Sequence, residues 1–315
     1  MALHVPVLLD ETLEILDPKP GHVVVDCTVG LGGHSQELLK RISPGGALVG
    51  LDLDPRNLEA ARPRLEETGG TFELHHANFA GLLKVLAGRQ ADAVLADLGV
   101  SSPHLDDPAR GFSLRRPGPL DMRMDPTRGP TAADLVNRMG ERELADAIFE
   151  LGDEGDSRKI ARLIVERRRR GRIETTDALA DVICEARRFT RHRAAGAKLH
   201  PATRTFQALR ILVNRELENL DALLAILPAC LKRGGAAVVI SFHSGEDRRV
   251  KRAFRDGKAA GHYSDVGKLV RPGEREAASN SRARSAKLRW ARLRDDASAG
   301  QARLRDDASA RQART

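Results

Sequence analysis

Aromatic side chains are scarce in this sequence, with eight Phe, one Trp and one Tyr among 315 residues. So few rings leave little for a stacking platform that tracks a single nucleic-acid strand, so shape and phosphate contacts would have to do more. Cysteine is scarcer still. Cys27, Cys184 and Cys230 stand far apart, with no metal-ligand spacing, and an odd count in a chain this long argues against a disulfide framework. Long apolar runs are also missing, and nothing approaches the ~18 residues of a membrane span. The opening "MALHVPVLLDETLEIL" has no basic flank and reaches Asp10 and Glu11 too soon for a secretory signal, so the expected location is cytoplasmic, with no membrane partner.

What the chain does carry is positive charge. Lys and Arg outnumber Asp and Glu by 52 to 44, a formal charge of +8. Such a surface attracts polyanions at long range, nucleic acid among them, and also serves solubility.

At ~150 residues per domain, the length fits two domains, or one domain with an insertion. Short apolar runs ending in polar turns recur through the first third: "HVVVDC" at 22–27, "ALVGLD" at 47–52, "FELHH" at 72–76 and "DAVLAD" at 92–97. Between them lie helical patterns such as "SQELLKRI" and "PRNLEAARPRLEE", the second with Asp54 as N-cap and Pro55 at its first position. Strand alternating with helix predicts an α/β fold built on a parallel sheet.

The alternation stops after Asp97, and the next strand-like run is "AAVVISF" at 236–242. In between come a loop rich in Pro, Gly, Arg and Asp at 101–130 and a series of helical patterns. A long amphipathic helix then carries Phe206, Leu209, Val213, Leu217, Leu220 and Leu224 on one face. The expected organisation is a sheet domain begun by residues 1–104, an inserted all-helical domain at 105–200, the rest of the sheet domain at 201–292 and a disordered tail at 293–315. In that tail "ARLRDDASA" occurs at 291–299 and again at 302–310, a composition that cannot bury a core.

"VVVDCTVGLGGHS" sets a strand, an acid, a glycine-rich turn and a helix start in succession. Gly30, Gly32 and Gly33 permit a sharp turn and close backbone approach to a ligand. Asp52 ends the second strand, where a carboxylate can accept hydrogen bonds from both hydroxyls of a ribose. A pyrophosphate binder prefers a third glycine where Ser35 stands, and Asp26 would repel a diphosphate. The sulfonium and ammonium of S-adenosylmethionine would instead welcome acids, and Asp26, Asp52 and Asp97 all end strands on the expected ligand side of the sheet. Two rivals stand beside a methyltransferase: a nicotinamide-dependent oxidoreductase, opposed by the missing glycine, and an inactive RNA-binding scaffold, opposed by the complete set of acids and glycines.

Over nearly its whole length the chain resembles the bacterial S-adenosylmethionine-dependent methyltransferases H of small-subunit ribosomal RNA. The resemblance rests on "HVPVLLDE" at 4–11, "DCTVGLGGHS" at 26–35, "LDLDP", "DLGVSSPHLDDPARGFSLRRPGPLDMRMDPTRG" at 97–129, "HPATRTFQALRILVNREL" at 200–217 and "ISFHSGEDRRVKR" at 240–252. It implies a class I methyltransferase fold, Rossmann-like with helices on both faces and an inserted helical domain. It also implies methylation of the exocyclic N4 of one cytidine in the decoding region of 16S ribosomal RNA. Cofactor residues carry over to Gly32, Gly33, His34, Asp52, Phe79, Asp97 and His104, the last standing where the family usually has glutamine. Asp97 and His243 are the catalytic candidates, and Arg110, Arg115, Arg116, Arg123, Arg204 and Arg248 the candidates for RNA phosphates. The expected partner is 16S rRNA or the small ribosomal subunit; whether two copies pair as a homodimer is left open.

Overall fold

The computed structural model describes residues 6–190, 194, 196–197, 199–280 and 282–295. In chain order, α1 (Leu9–Leu16), β1 (Val23–Asp26), α2 (Gly33–Ile42), β2 (Ala47–Asp52), α3 (Pro55–Glu66), β3 (Thr71–His76), α4 (Leu82–Leu86) and β4 (Ala91–Asp97) reproduce the alternation expected from the apolar runs. Helix α3 begins as its sequence dictates. Asp54 accepts a hydrogen bond from Arg56 N at 3.0 Å, and Pro55, which has no N–H to satisfy, takes the first helical position.

Then follow α5 (Ser102–Asp106), α6 (Ala132–Arg138), α7 (Glu141–Gly152), α8 (Ser157–Arg168), α9 (Thr176–Ala186), α10 (Thr203–Asn214), α11 (Glu216–Cys230), β5 (Leu231–Ser241), α12 (Ser244–Ala259), β6 (Tyr263–Val266), α13 (Glu274–Ser279) and β7 (Lys287–Leu293). The chain divides into two compact units, one of Met1–Gly99 with Asn219–Thr315 and one of Val100–Glu218.

The first unit is built on a seven-stranded sheet of order β3-β2-β1-β4-β5-β7-β6. It is Rossmann-like, but mixed rather than purely parallel: β1 to β5 run parallel, and β7 is antiparallel to both β5 and β6. The parallel expectation failed at β6 and β7 because neither looks like a buried strand. In "KLRWARL" basic residues interrupt the apolar ones, and "YSDV" buries only its tyrosine. Alternation along the strands divides the core between the two faces of the sheet. Val25, Val49, Val94 and Val239 pack with Leu82, Leu86, Leu223, Leu227 and Phe254 on one side. Val24, Leu48, Leu95 and Val238 pack with Leu13, Leu16, Leu38 and Ile42 on the other. Each fully buried aliphatic side chain contributes roughly 1.5–3 kcal/mol.

The second unit is helical. The single long helix expected over residues 206–224 is two helices: Arg215 adopts the left-handed conformation (φ 51°) and separates α10 from α11. The apolar stripe is shared accordingly, with Leu220 and Leu224 in the core of the sheet unit. Helix α10, expected in the sheet domain, packs within the helical unit against α7. There a Cβ on Gly152 would lie 2.5 Å from Arg204 O and 3.2 Å from Ala208 Cβ, so only glycine lets the helices approach this closely. Asn214 pins the loop before α6, accepting from Met124 N at 2.7 Å and donating to Met122 O at 2.8 Å. Of the expected tail, Leu293 is the last residue of β7; residues 296–315, with the second copy of the repeat, lie outside the described residues.

Candidate active site

Adjacent parallel strands β2, β1 and β4 end on Asp52, Asp26 and Asp97. Ligands of open α/β sheets bind outside these carboxyl ends. Asp26 was expected on an open acidic rim, and the structure corrects that. It is 1% exposed, with Oδ2 accepting from Ser35 Oγ at 2.6 Å and Oδ1 from Thr28 N at 3.0 Å. Burial, only partly opposed by those hydrogen bonds, pushes its carboxyl up to about 6.

Asp52 organises the glycine turn. Its Oδ2 accepts from Gly30 N at 2.8 Å, and its Oδ1 from Asp54 N at 2.8 Å and Asn57 Nδ2 at 3.2 Å. Gly30 and Gly32 have φ of 54° and 78°, the left-handed region in which a side chain is strained. At Gly33 the constraint is packing, since a Cβ there would lie 2.6 Å from Pro6 Cγ.

Asp97 is the unusual carboxylate. Its backbone N–H donates to Thr28 Oγ1 at 2.7 Å, and its Oδ2 lies 3.7 Å from His34 Nδ1. The side chain is 24% exposed, yet Oδ1 is enclosed and has no hydrogen-bond partner among the described residues. Desolvation first, then the charges of Asp26 and Glu246, raise its pKa well above the ordinary carboxylate range. On the other side of the imidazole, His34 Nε2 is 3.0 Å from Val7 O.

His243 caps α12, and Glu246 three residues on closes a capping box. Glu246 is 2% exposed; its Oε2 accepts from Phe242 N at 2.8 Å and His243 N at 3.2 Å, while its Oε1 lies 3.2 Å from His243 Nε2. Sequence reasoning singled out His243 and missed Glu246, although "HSGE" carries the three-residue capping spacing. Phe79 opens the short turn after β3, partly buried against the core.

The sequence profile of the MraW methylase family matches residues 1–294. The chain belongs to the MraW methylase family. Three relatives carry the name ribosomal RNA small subunit methyltransferase H. That of Koribacter versatilis is 48% identical over 296 residues, covering 91% of this chain and 93% of the relative. That of Acidobacterium capsulatum is 46% identical over 296 residues, covering 91% and 97%. That of Syntrophobacter fumaroxidans is 44% identical over 305 residues, covering 91% and 95%.

The cofactor of this methylase is S-adenosylmethionine, and the residues fit it. An enclosed carboxylate oxygen without a partner, Asp97 Oδ1, suits a cationic ligand, and Gly30, Gly32 and Gly33 form the turn beside the strand ends. His34, Asp52 and Phe79 share the sheet unit with them. His104 belongs to the helical unit, where it is 3% exposed, its Nδ1 accepts from Ser101 N at 3.2 Å and its ring packs on Phe112.

The arginines expected to reach RNA divide into two kinds. Arg110 is corrected to a structural role, for it is 6% exposed and donates from Nη2 to Arg123 O and Met124 O, both at 2.9 Å. Arg123 is held by a two-point contact with Asp121 at 2.8 and 2.7 Å, which consumes its planar fork. Arg116 and Arg204 are exposed and each donates to one carbonyl, of Asp106 and Asp153. The side chains of Arg115 and Arg248 are exposed and without a partner among the described residues. No helix among the described residues is long and apolar enough to cross a membrane.

Proposed function

We propose that the chain methylates the exocyclic N4 amine of a cytidine in the decoding region of 16S rRNA. The observation that carries this is the unpartnered Oδ1 of Asp97 at the end of β4. The names of the relatives supply the substrate class.

When bound, S-adenosylmethionine supplies a methyl carbon on a sulfonium, which passes to the amine nitrogen as the carbon–sulfur pair returns to sulfur. The N4 lone pair is delocalised into the cytosine ring, so the protein must hold the amine in line and accept its N–H groups as the nitrogen pyramidalises. Asp97 Oδ1 is that acceptor. The same carboxylate would take the proton the nitrogen sheds. Asp52 would accept from the ribose hydroxyls and the turn from Gly30 to Gly33 would hold the cofactor, while His34, 3.7 Å from Asp97, positions that carboxylate. His243, braced by Glu246, borders the base. A cytidine inside folded RNA must turn out of its stack, at a cost of a few kcal/mol, which phosphate contacts from Arg115, Arg116, Arg204 and Arg248 offset. A ribosomal substrate places the reaction in the cytoplasm.

The test is transfer of radiolabelled methyl to small ribosomal subunits and to naked 16S rRNA, both from cells lacking this protein, followed by mapping of the modified nucleotide. Label on N4 of one decoding-region cytidine is expected. Label elsewhere, or none on either substrate, overturns the assignment.

A further inference from the structure

Registers across the sheet place one more segment at the active edge. Asp97 pairs with Ile240 and Ile240 with Leu288. Leu288 in turn pairs with Val270 outside the named strands, Val270 N donating to Leu288 O at 3.1 Å and Leu288 N to Val270 O at 3.0 Å. At ~4.8 Å per strand this row puts Val270 about 14 Å from Asp97, at the same level of the sheet.

The segment beginning there is cationic and firmly held. Gly267 donates its N–H to Trp290 O at 3.2 Å, and any Cβ on it would fall 1.9 Å from the indole Nε1, so Trp290 fits only over glycine. Glu276 Oε1 accepts from Leu8 N at 2.9 Å, and Arg284 Nε donates to Ala277 O at 3.0 Å. From this frame Lys268, Arg271, Arg275 and Arg284 stand exposed, none with a carboxylate partner among the described residues. On the neighbouring α12, Arg249, Arg252 and Lys258 pair with Asp221, Asp256 and Asp265, while Arg248 and Lys251 have no carboxylate partner among the described residues. Cations on a fixed backbone without ion-pair partners among the described residues form a field that an anionic partner completes, and their placement on the edge bearing Asp97 makes that partner a phosphate chain leading to the reacting base.

We propose that Lys268, Arg271 and Arg275, with Arg284 beside them, bind the phosphates of the RNA strand flanking the target nucleotide. This rests on the RNA substrate proposed above. The surface is part of the sheet unit itself.

The experiment compares the full-length protein with a Lys268→Gln/Arg271→Gln/Arg275→Gln variant, whose replaced side chains have no partner among the described residues. Affinity for 16S rRNA transcribed in vitro is measured across a salt series, alongside S-adenosylmethionine affinity and the melting temperature. For the variant, RNA affinity at 0.1 M salt should drop at least tenfold, and the slope of log K against log salt should fall by about 2, at ~0.7 per lost single-strand phosphate contact. Cofactor affinity and melting should not move. A Lys268→Arg/Arg271→Lys/Arg275→Lys variant, which keeps the charge, should restore the slope. An unchanged slope and affinity in the glutamine variant, with the wild type binding RNA normally, removes this surface alone. Failure of the wild type to bind RNA at any salt overturns both the surface and the proposed substrate.

Discussion

His34 stands between a carbonyl and a carboxylate, with Nε2 3.0 Å from Val7 O and Nδ1 3.7 Å from Asp97 Oδ2. A carbonyl only accepts, which assigns the Nε2 proton. In the neutral imidazole Nδ1 is then a bare lone pair, and a lone pair facing an ionised carboxylate is repulsive. A proton on either group relieves that repulsion, and the burial of Asp97 beside Asp26 and Glu246 raises its pKa.

Proton-linked cofactor binding follows. A sulfonium or ammonium arriving at Asp97 binds the ionised carboxylate, so binding should release a proton, and affinity should rise with pH until it levels off above the raised pKa. Calorimetry in buffers of different ionisation enthalpy measures that release. Asp97→Asn should abolish it and flatten the pH dependence of affinity, and turnover should fall at least 100-fold if Asp97 also takes the amine proton. Proton release unchanged in the variant would place the titrating group elsewhere.

Asp26 carries a stability signature of its own. A folded-state carboxyl at about 6, against an ordinary value of 3.8, is bound by its proton more tightly in the native than in the unfolded chain. Its contribution to stability is therefore fully present below pH 3.8 and is lost as pH rises through 6, a change of roughly 3 kcal/mol at ~1.4 kcal/mol per pH unit. Asp26→Asn keeps the shape and cannot titrate. Denaturant unfolding from pH 4 to 7.5 should show the wild type losing stability relative to the variant by that order, and parallel curves would contradict it.

Strands β1, β2 and β4 and their terminal acids were legible because each apolar run is short and closed by Asp, and the N-cap of α3 was legible because Asp54-Pro55 has one economical use. Asp26 misled because a strand-end acid looks the same in sequence whether it faces a ligand or a buried Ser35; only the fold brings α2 onto it. Strand β7 was hidden by its arginines, which the sheet tolerates because Arg289 reaches Asp247 at 2.7 Å and Arg292 donates to Gly234 O at 2.9 Å. The break at Arg215 left no mark in the apolar spacing, since a helix interrupted by a single residue nearly preserves its phase. Arginines in one motif could not be sorted into structural and exposed without knowing which carbonyls lay nearby.

That sorting is testable in the helical unit. Arg110→Gln removes a buried cation holding two carbonyls and should cost about 2–3 kcal/mol, seen as a melting temperature lower by several degrees. Arg115, whose side chain has no partner among the described residues, should on replacement by Gln leave stability within ~0.5 kcal/mol while weakening RNA binding severalfold. The reverse pattern, a stable Arg110 variant with impaired RNA binding, would return Arg110 to the RNA interface.

Glu246 influences Asp97 by its charge while securing the start of α12 through Phe242 N and His243 N. Glu246→Gln retains one carbonyl acceptor for those donors but removes the negative charge that raises the Asp97 pKa. The pH midpoint of cofactor affinity should then shift downward, since Asp97 ionises more readily, while the high-pH plateau stays within about twofold of the wild type. A Glu246→Ala variant separates the two effects, because losing the acceptor altogether should add a stability loss of ~1–2 kcal/mol to the same shift in midpoint. If both variants lose stability and neither moves the midpoint, Glu246 is only a cap, and the elevated pKa of Asp97 comes from burial and Asp26.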